Sequence, residues 1–377
     1  MSLFLPHRRF LLGARAFDLD RWLVDNNGAY FDFTRTDTTF QESVGPTPAD
    51  DVGEPIGLAL SRAGWGGRTL AQVVGDSPEL CVNGTFDTDL TGWTDASTAP
   101  SNVTWSSGRA SLNAGSTARL RQGIAITAGR IMRFAATVVS GSIAISLGSS
   151  AGGTQYANQV ATASTVLFAT TTGASFWVGW YGGTTALVDD NSVREVARHS
   201  ALQTTANSRA QRQAAGGKFD GGDDSLLTNV YAGAGGNYVA AVVTVPASLA
   251  AVQVVTGLNS GTARFYVAID TSGRACGGVG TDGTGTITGT TDLRGQRVVI
   301  GLSCDGSTVR LFVDDAEEYT GAQNGAPTTG TPYRIGANNS AGTAANFWGG
   351  WVEKVAPVQV AADLARHRQV KAALLAA

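Results

Sequence analysis

The run 175–181, Ser-Phe-Trp-Val-Gly-Trp-Tyr, places four aromatic side chains around one glycine. On a strand, successive side chains alternate, so Phe176, Val178 and Trp180 share one face while Trp177, Gly179 and Tyr181 share the other. Two rings on either side of a residue without a side chain leave an open platform. Flat aromatic faces of this kind stack on the apolar faces of pyranose rings, with a few polar groups to fix the sugar hydroxyls. Trp177 and Tyr181 are therefore the expected glycan-binding pair, with Trp105 and Tyr156 as additions. The competing reading for each ring is packing inside a core, since Trp and Tyr are heavily buried on average. Trp93 is read as core. Trp348 and Trp351, three apart, should fall on opposite strand faces, so at most one of them faces a ligand.

Acidic residues pair at Asp189–Asp190, Asp223–Asp224 and Asp314–Asp315. Such pairs can supply oxygens to calcium, but most often they cap the amides of their own turn. Catalytic groups are harder to assemble. Glycoside hydrolysis needs two carboxylates held about 5–9.5 Å apart, whereas the adjacent Glu317 and Glu318 point to opposite strand faces. His7, His199 and His367 are scattered, which leaves no metal cluster or serine triad to build. Gly277, Gly278 and Gly280 open no helix, so no phosphate loop is read there. The chain is expected to be non-enzymatic, with no catalytic residue.

The formal net charge is −3 and basic residues do not cluster, which argues against nucleic acid as a partner. No window approaches the ~18–20 apolar residues of a membrane span, so no membrane insertion is expected. His7, Arg8, Arg9 and Arg15 interrupt the apolar leader rather than preceding it, unlike a signal peptide. Synthesis in the bacterial cytoplasm without one is the expectation. Cys81, Cys276 and Cys304 have no metal or redox spacing and are read as buried free thiols.

With 49 glycines and only 15% charged residues in 377, the composition favours many short strands joined by glycine turns. The expected fold is all-β: two jelly-roll-type β-sandwiches after an extended N-terminal docking segment, closed by a short C-terminal helix. Residues 1–75 carry turn signals and little periodicity and are assigned to docking. Residues 76–198 show strand-like runs at 119–126, 131–139, 142–147, 166–170, 175–181 and 186–196. Residues 199–377 show others at 237–245, 251–258, 263–269, 297–302, 308–313, 333–335 and 347–355. Leu364, His367, Val370, Ala373 and Leu374 recur at helical spacing within 360–375.

Three stretches carry resemblances. Residues 80–86 (Leu-Cys-Val-Asn-Gly-Thr-Phe), 91–93 (Thr-Gly-Trp) and 187–193 (Leu-Val-Asp-Asp-Asn-Ser-Val) are similar to the opening and closing motifs of a jelly-roll carbohydrate-binding module. That family implies a structural calcium near the module's termini, for which Asn83 and Asp190 would be the ligands. Asn191 departs from the family pattern and implies a bulge there. Residues 217–226, with 334–337 and 347–352, resemble a concanavalin-like or laminin-G-like domain. Residues 38–43 and 53–60 resemble a segment that precedes such domains in tailed-phage tail and spike proteins, and its usual continuation reappears at 199–212. The 76–198 module therefore looks inserted into a unit whose halves flank it.

Together these resemblances imply a spike or fibre protein on the surface of a tailed-phage or gene-transfer-agent virion. In that role the N-terminal segment would contact other virion proteins, and the sandwiches would bind host capsular or other bacterial surface polysaccharide for adsorption. A homo-oligomer, a trimer for preference, would raise avidity. The alternative is a purely structural head-decoration or tail-tip protein that binds no glycan.

Overall fold

The computed structural model describes residues 17–44, 47–259, 263–281, 287–340 and 342–376. The basic and apolar leader around His7, Arg8, Arg9 and Arg15 lies outside them. The fold is all-β, with its strands in sandwiches and a C-terminal helix at Leu364–Ala376.

Residues 94–197 form one sandwich. Its first sheet runs in the order Ala157–Ala161, Ile143–Gly148, Ser175–Gly182, Ala118–Ala125, Thr94–Asp95. The facing sheet runs Thr165–Thr170, Ile131–Ser140, Ala186–Ala197, Ala110–Asn113, Asn102–Trp105. Strict alternation builds the core: in Ala118–Ala125 every second residue is buried, and Leu120, Phe134, Ile145, Leu167, Phe176, Val178, Trp180 and Val188 fill the space between the sheets. This is the sheet-on-sheet arrangement that the hydrophobic period of two requires.

Among the described residues the rest of the chain pairs into an eight-stranded and an eleven-stranded sheet. Residues 17–75 belong to both, which corrects the expectation of an extended segment without a core. Phe31 and Asp32 pair with Val355 and Lys354, while Leu58–Leu60 pairs with Ser200–Leu202 on one side and Thr39–Phe40 on the other. Leu23, Phe31, Phe33, Ile56 and Leu60 are fully buried. These strands are only two or three residues long, too short for any period to appear in the sequence. Polar bonds add to the packing. The buried Asp32 carboxylate accepts from Tyr30 Oη (3.1 Å), Thr34 Oγ1 (2.6 Å) and Arg62 Nη1 (3.4 Å). The Arg212 guanidinium donates to the Phe33 and Thr34 carbonyls.

The two ends of the first sandwich meet. Leu80 N–H donates to the Val193 carbonyl at 2.9 Å, and the Glu79 carboxylate accepts from Val193 N at 2.7 Å and Ser192 Oγ at 2.6 Å. Phe40, Leu60 and Trp65 pack against Ile131, Phe168 and Val196 to join the sandwiches, and Asn229 Nδ2 donates across the junction to the Gly129 carbonyl at 3.0 Å. The three cysteines are buried and unpaired, and burial pushes each thiol up to about 12.

The C-terminal helix covers the outer face of the eight-stranded sheet, turning His367, Val370 and Leu374 inward onto Tyr238, Val299 and Phe312. His367 Nε2 lies 2.9 Å from the Asp314 carbonyl, which can only accept, so that nitrogen carries the proton and Nδ1 accepts from Tyr238 Oη at 2.7 Å. Burial lowers both His367 and His199 from 6.5 to about 4. A histidine held neutral in the fold binds a proton more readily once unfolded. Its contribution to stability is therefore full above about pH 6.5 and is lost progressively down to about pH 4. Urea unfolding across that range should show His367→Gln lowering the number of protons taken up on unfolding by about one. An unchanged slope in the variant would contradict this assignment.

Candidate functional site

Strand register fixes which outward side chains of the first sheet lie side by side. One row reads Asn158, Ser146, Gly179, Arg121, Thr94 across five strands. The row on one side reads Val160, Ala144, Tyr181, Arg119, and the row on the other reads Gly148, Trp177, Gly123. The floor is thus made of glycine, alanine and serine, with two rings and two arginines rising from it. No carboxylate stands in the three rows.

Trp177 and Tyr181 are half-buried on this face, while Phe176, Val178 and Trp180 are fully buried beneath it. The indole of Trp177 rests on Gly123, where an added Cβ would lie 2.7–2.9 Å from three consecutive ring atoms. Near-equal distances of that kind mean that a ring face, not an edge, lies over the glycine. Tyr181 Oη donates to Asn158 Oδ1 at 2.6 Å, which fixes the second ring. At Gly179 a Cβ would come within 2.5 Å of Ser146 Oγ. The space left by that missing side chain opens into a cavity of about 290 Å³ bounded by Arg119, Arg121, Ser146, Ala151, Gly152 and Tyr181.

Beneath the platform, Trp180 Nε1 donates to Asn191 Oδ1 at 2.9 Å, and Asn191 N donates to the Gly84 carbonyl at 2.9 Å. Asn191 sits in a bulge, because the pairing of Ala186–Ala197 with Ile131–Ser140 slips between Asp189 and Ser192. The extra residue buries an amide that ties the strand under the site to the first loop of the sandwich. In the sequence Asn191 stands out only as a departure from a motif; its pairing with Trp180 spans a turn and has no local signature.

The other expected site residues lie elsewhere. Tyr156 is only 8% exposed and stacks on Phe176, with ring centroids 5.8 Å apart and planes at 8°. Its hydroxyl accepts from Thr172 N at 3.3 Å, so the ring is core and does not join the platform. Trp105 is 44% exposed but belongs to the edge strand of the opposite sheet, where its Nε1 donates to the Phe86 carbonyl at 2.6 Å. Trp348 is fully buried just before the strand Trp351–Val358 begins, so the two indoles do not alternate along one strand.

Asn83 and Asp190 both adopt left-handed backbone, at φ 48° and 52°. The Asn83 amide nitrogen donates to the Asp89 carbonyl and carboxylate and to the Thr91 carbonyl. Among the described residues, the groups of three acids close enough to share an ion are Asp50–Asp51–Glu54 and Asp220–Asp223–Asp224, and neither includes Asp190. Calcium at Asn83 and Asp190 rests on the resemblance of the module's opening and closing motifs, and neither residue belongs to the platform face. In the 220–224 loop the carboxylates cap their own turn. Asp220 Oδ1 accepts from Gly222 N and Asp224 Oδ2 from Asp220 N. Burial, with Asp220 beside it, raises the Asp224 carboxyl to about 6.

No family model and no curated protein matches the sequence. Among solved structures, the chain is similar to the Ruminococcus gnavus IT-sialidase CBM40 bound to α2,3-sialyllactose. The identity is 20% and the TM-score 0.31, over 36% of this chain and 82% of that one. It is also similar to the Trypanosoma rangeli sialidase in complex with the inhibitor DANA, at 14% identity and TM-score 0.35 over 46% and 29% of the two chains. A third is the NanB sialidase of Streptococcus pneumoniae, at 12% identity and TM-score 0.29 over 35% and 23%. Likenesses this partial decide neither ligand nor activity.

Proposed function

We propose that the chain is a non-catalytic glycan-binding protein whose site is the outer face of the 94–197 sandwich. The observation that carries this is the placement of Trp177 and Tyr181, both partly open, on either side of Gly179 on one sheet face, with a cavity lined by Tyr181, Gly179, Arg119 and Arg121 beside them. Four residues of strand separate their Cα atoms by about 13 Å, a span suited to an oligosaccharide segment. Stacking supplies apolar contact, while Asn158 and the arginines offer hydrogen bonds to hydroxyl groups. No proton transfer or nucleophile is needed for this role.

The finer reading is attachment of a tailed-phage or gene-transfer-agent virion to host surface polysaccharide. It is supported by the resemblance of residues 38–43 and 53–60 to segments of phage spikes. A shallow site of this kind binds weakly alone and gains from copy number, so a multimeric spike suits it.

Filling the groove tests the reading. Gly179→Val, with Ser146→Ala to relieve the 2.5 Å approach, should abolish binding to surface polysaccharide purified from candidate hosts while leaving thermal unfolding near that of the parent chain. Undiminished binding by the filled protein would place the site elsewhere.

A further inference from the structure

Resting on that reading, we infer that the glycan is anionic, and that Arg119 and Arg121 take the oxygens of its acid groups. Both arginines come from the strand Ala118–Ala125 and stand in the rows of Tyr181 and Gly179. Two residues apart, their Cα atoms lie about 7 Å from each other on one face. Both line the cavity in which a stacked sugar would lie.

Among the described residues neither guanidinium has a carboxylate within ion-pair distance, whereas three other arginines of this sandwich do. Arg109 faces Asp189 at 3.8 Å, Arg130 faces Glu195 at 3.7 Å and Arg194 faces Glu79 at 3.3 Å. On the strand adjoining Arg119 and Arg121, Asp95 pairs with Leu120, and its carboxylate accepts from Ser97 N and Val103 N at 2.9 Å each. The groove thus concentrates positive charge on a chain whose net charge is −3.

Arginine presents a rigid planar fork that matches the two oxygens of a carboxylate, or two of a sulfate or phosphate, in paired hydrogen bonds. A neutral sugar leaves most of those donors to water. The same groove then prefers an acid-bearing glycan to its neutral counterpart, and the preference weakens with salt because the site is open.

The test uses the full chain and matched polymers that differ only in charge: polygalacturonate against its carboxyl-reduced form, dextran sulfate against dextran, and host surface polysaccharide before and after carboxyl reduction. The acidic member of at least one pair should bind at least about tenfold more tightly, and Arg119→Gln/Arg121→Gln should erase that preference. Which pair responds identifies the acid group. Equal binding within every pair, or a preference that survives in the arginine variant, overturns the inference. The aromatic variant Trp177→Ala/Tyr181→Ala separates the two levels. Neutral polymer bound by the parent and lost in that variant, with no preference for acid, leaves the glycan site standing and removes its charge specificity. Acidic polymer bound equally by parent and aromatic variant removes the stacking site itself.

Discussion

Alanine at both Trp177 and Tyr181 is expected to lower affinity for the recognised polysaccharide by at least about thirtyfold. Each ring contributes on the order of 1–1.5 kcal/mol of stacking, and 1.4 kcal/mol is a factor of ten. The fold should survive the double change. Both rings are half-buried on the outer face, and the core residues Phe176, Val178 and Trp180 beneath them stay in place. Loss of the bond from Tyr181 to Asn158 costs about 1 kcal/mol at most, because it lies at the surface. Titration calorimetry beside a thermal melt separates the two effects. A variant that melts like the parent and binds like the parent would remove the platform from the account.

The second large effect is structural. Deleting residues 1–75 should leave the remaining chain unable to fold its second sandwich. The deletion removes Leu23, Tyr30, Phe31, Phe33 and Ile56 from its packing, and each large apolar side chain contributes roughly 1.5–3 kcal/mol on burial. A total of that size matches the whole stability of an ordinary domain, about 5–15 kcal/mol. The deletion also strips strand partners from Val355 and from Ser200–Leu202. Excision of residues 80–193 should behave differently. Its ends already meet through Leu80 and Val193, so a short glycine link can close the gap, and both remaining sheets keep their strands. The excised chain should unfold cooperatively and bind no glycan. Cooperative unfolding of the chain lacking residues 1–75, at a temperature close to that of the intact protein, would show that the segment is a free appendage after all.

These two experiments also mark what the sequence made legible. The alternation in 175–181 placed Trp177 and Tyr181 on one face and Trp180 on the other, because the rule rests only on strand geometry. The C-terminal helix was legible for the same reason, its apolar residues recurring at helical spacing. Tyr156 was not, since a loop residue has no period and its stacking on Phe176 depends on how the 149–156 turn folds back. Strands such as Arg274–Gly280 and Gly216–Lys218 are rich in glycine and carry few apolar side chains to signal them. For residues 17–75 the flanking resemblances pointed to one unit with the last domain, but the individual strands were hidden. Phe31 meets Val355 across most of the chain's length, and Leu60 meets Ser200 across the whole first sandwich, and only tertiary pairing reveals strands so short. The arginine pair was equally silent: Arg119 and Arg121 gain meaning only when register sets them beside Tyr181 and Gly179.

The central claim is that a glycan lies across the Trp177–Tyr181 platform. Hydroxyl-radical footprinting of the full chain, with and without saturating surface polysaccharide, reads that directly because both side chains react readily when open to water. Labelling of Trp177 and Tyr181 should fall several-fold on binding, while Trp105, exposed on the opposite sheet, should be labelled as before. Unchanged labelling of Trp177 and Tyr181 in the bound chain, or protection confined to the second sandwich, would contradict the account.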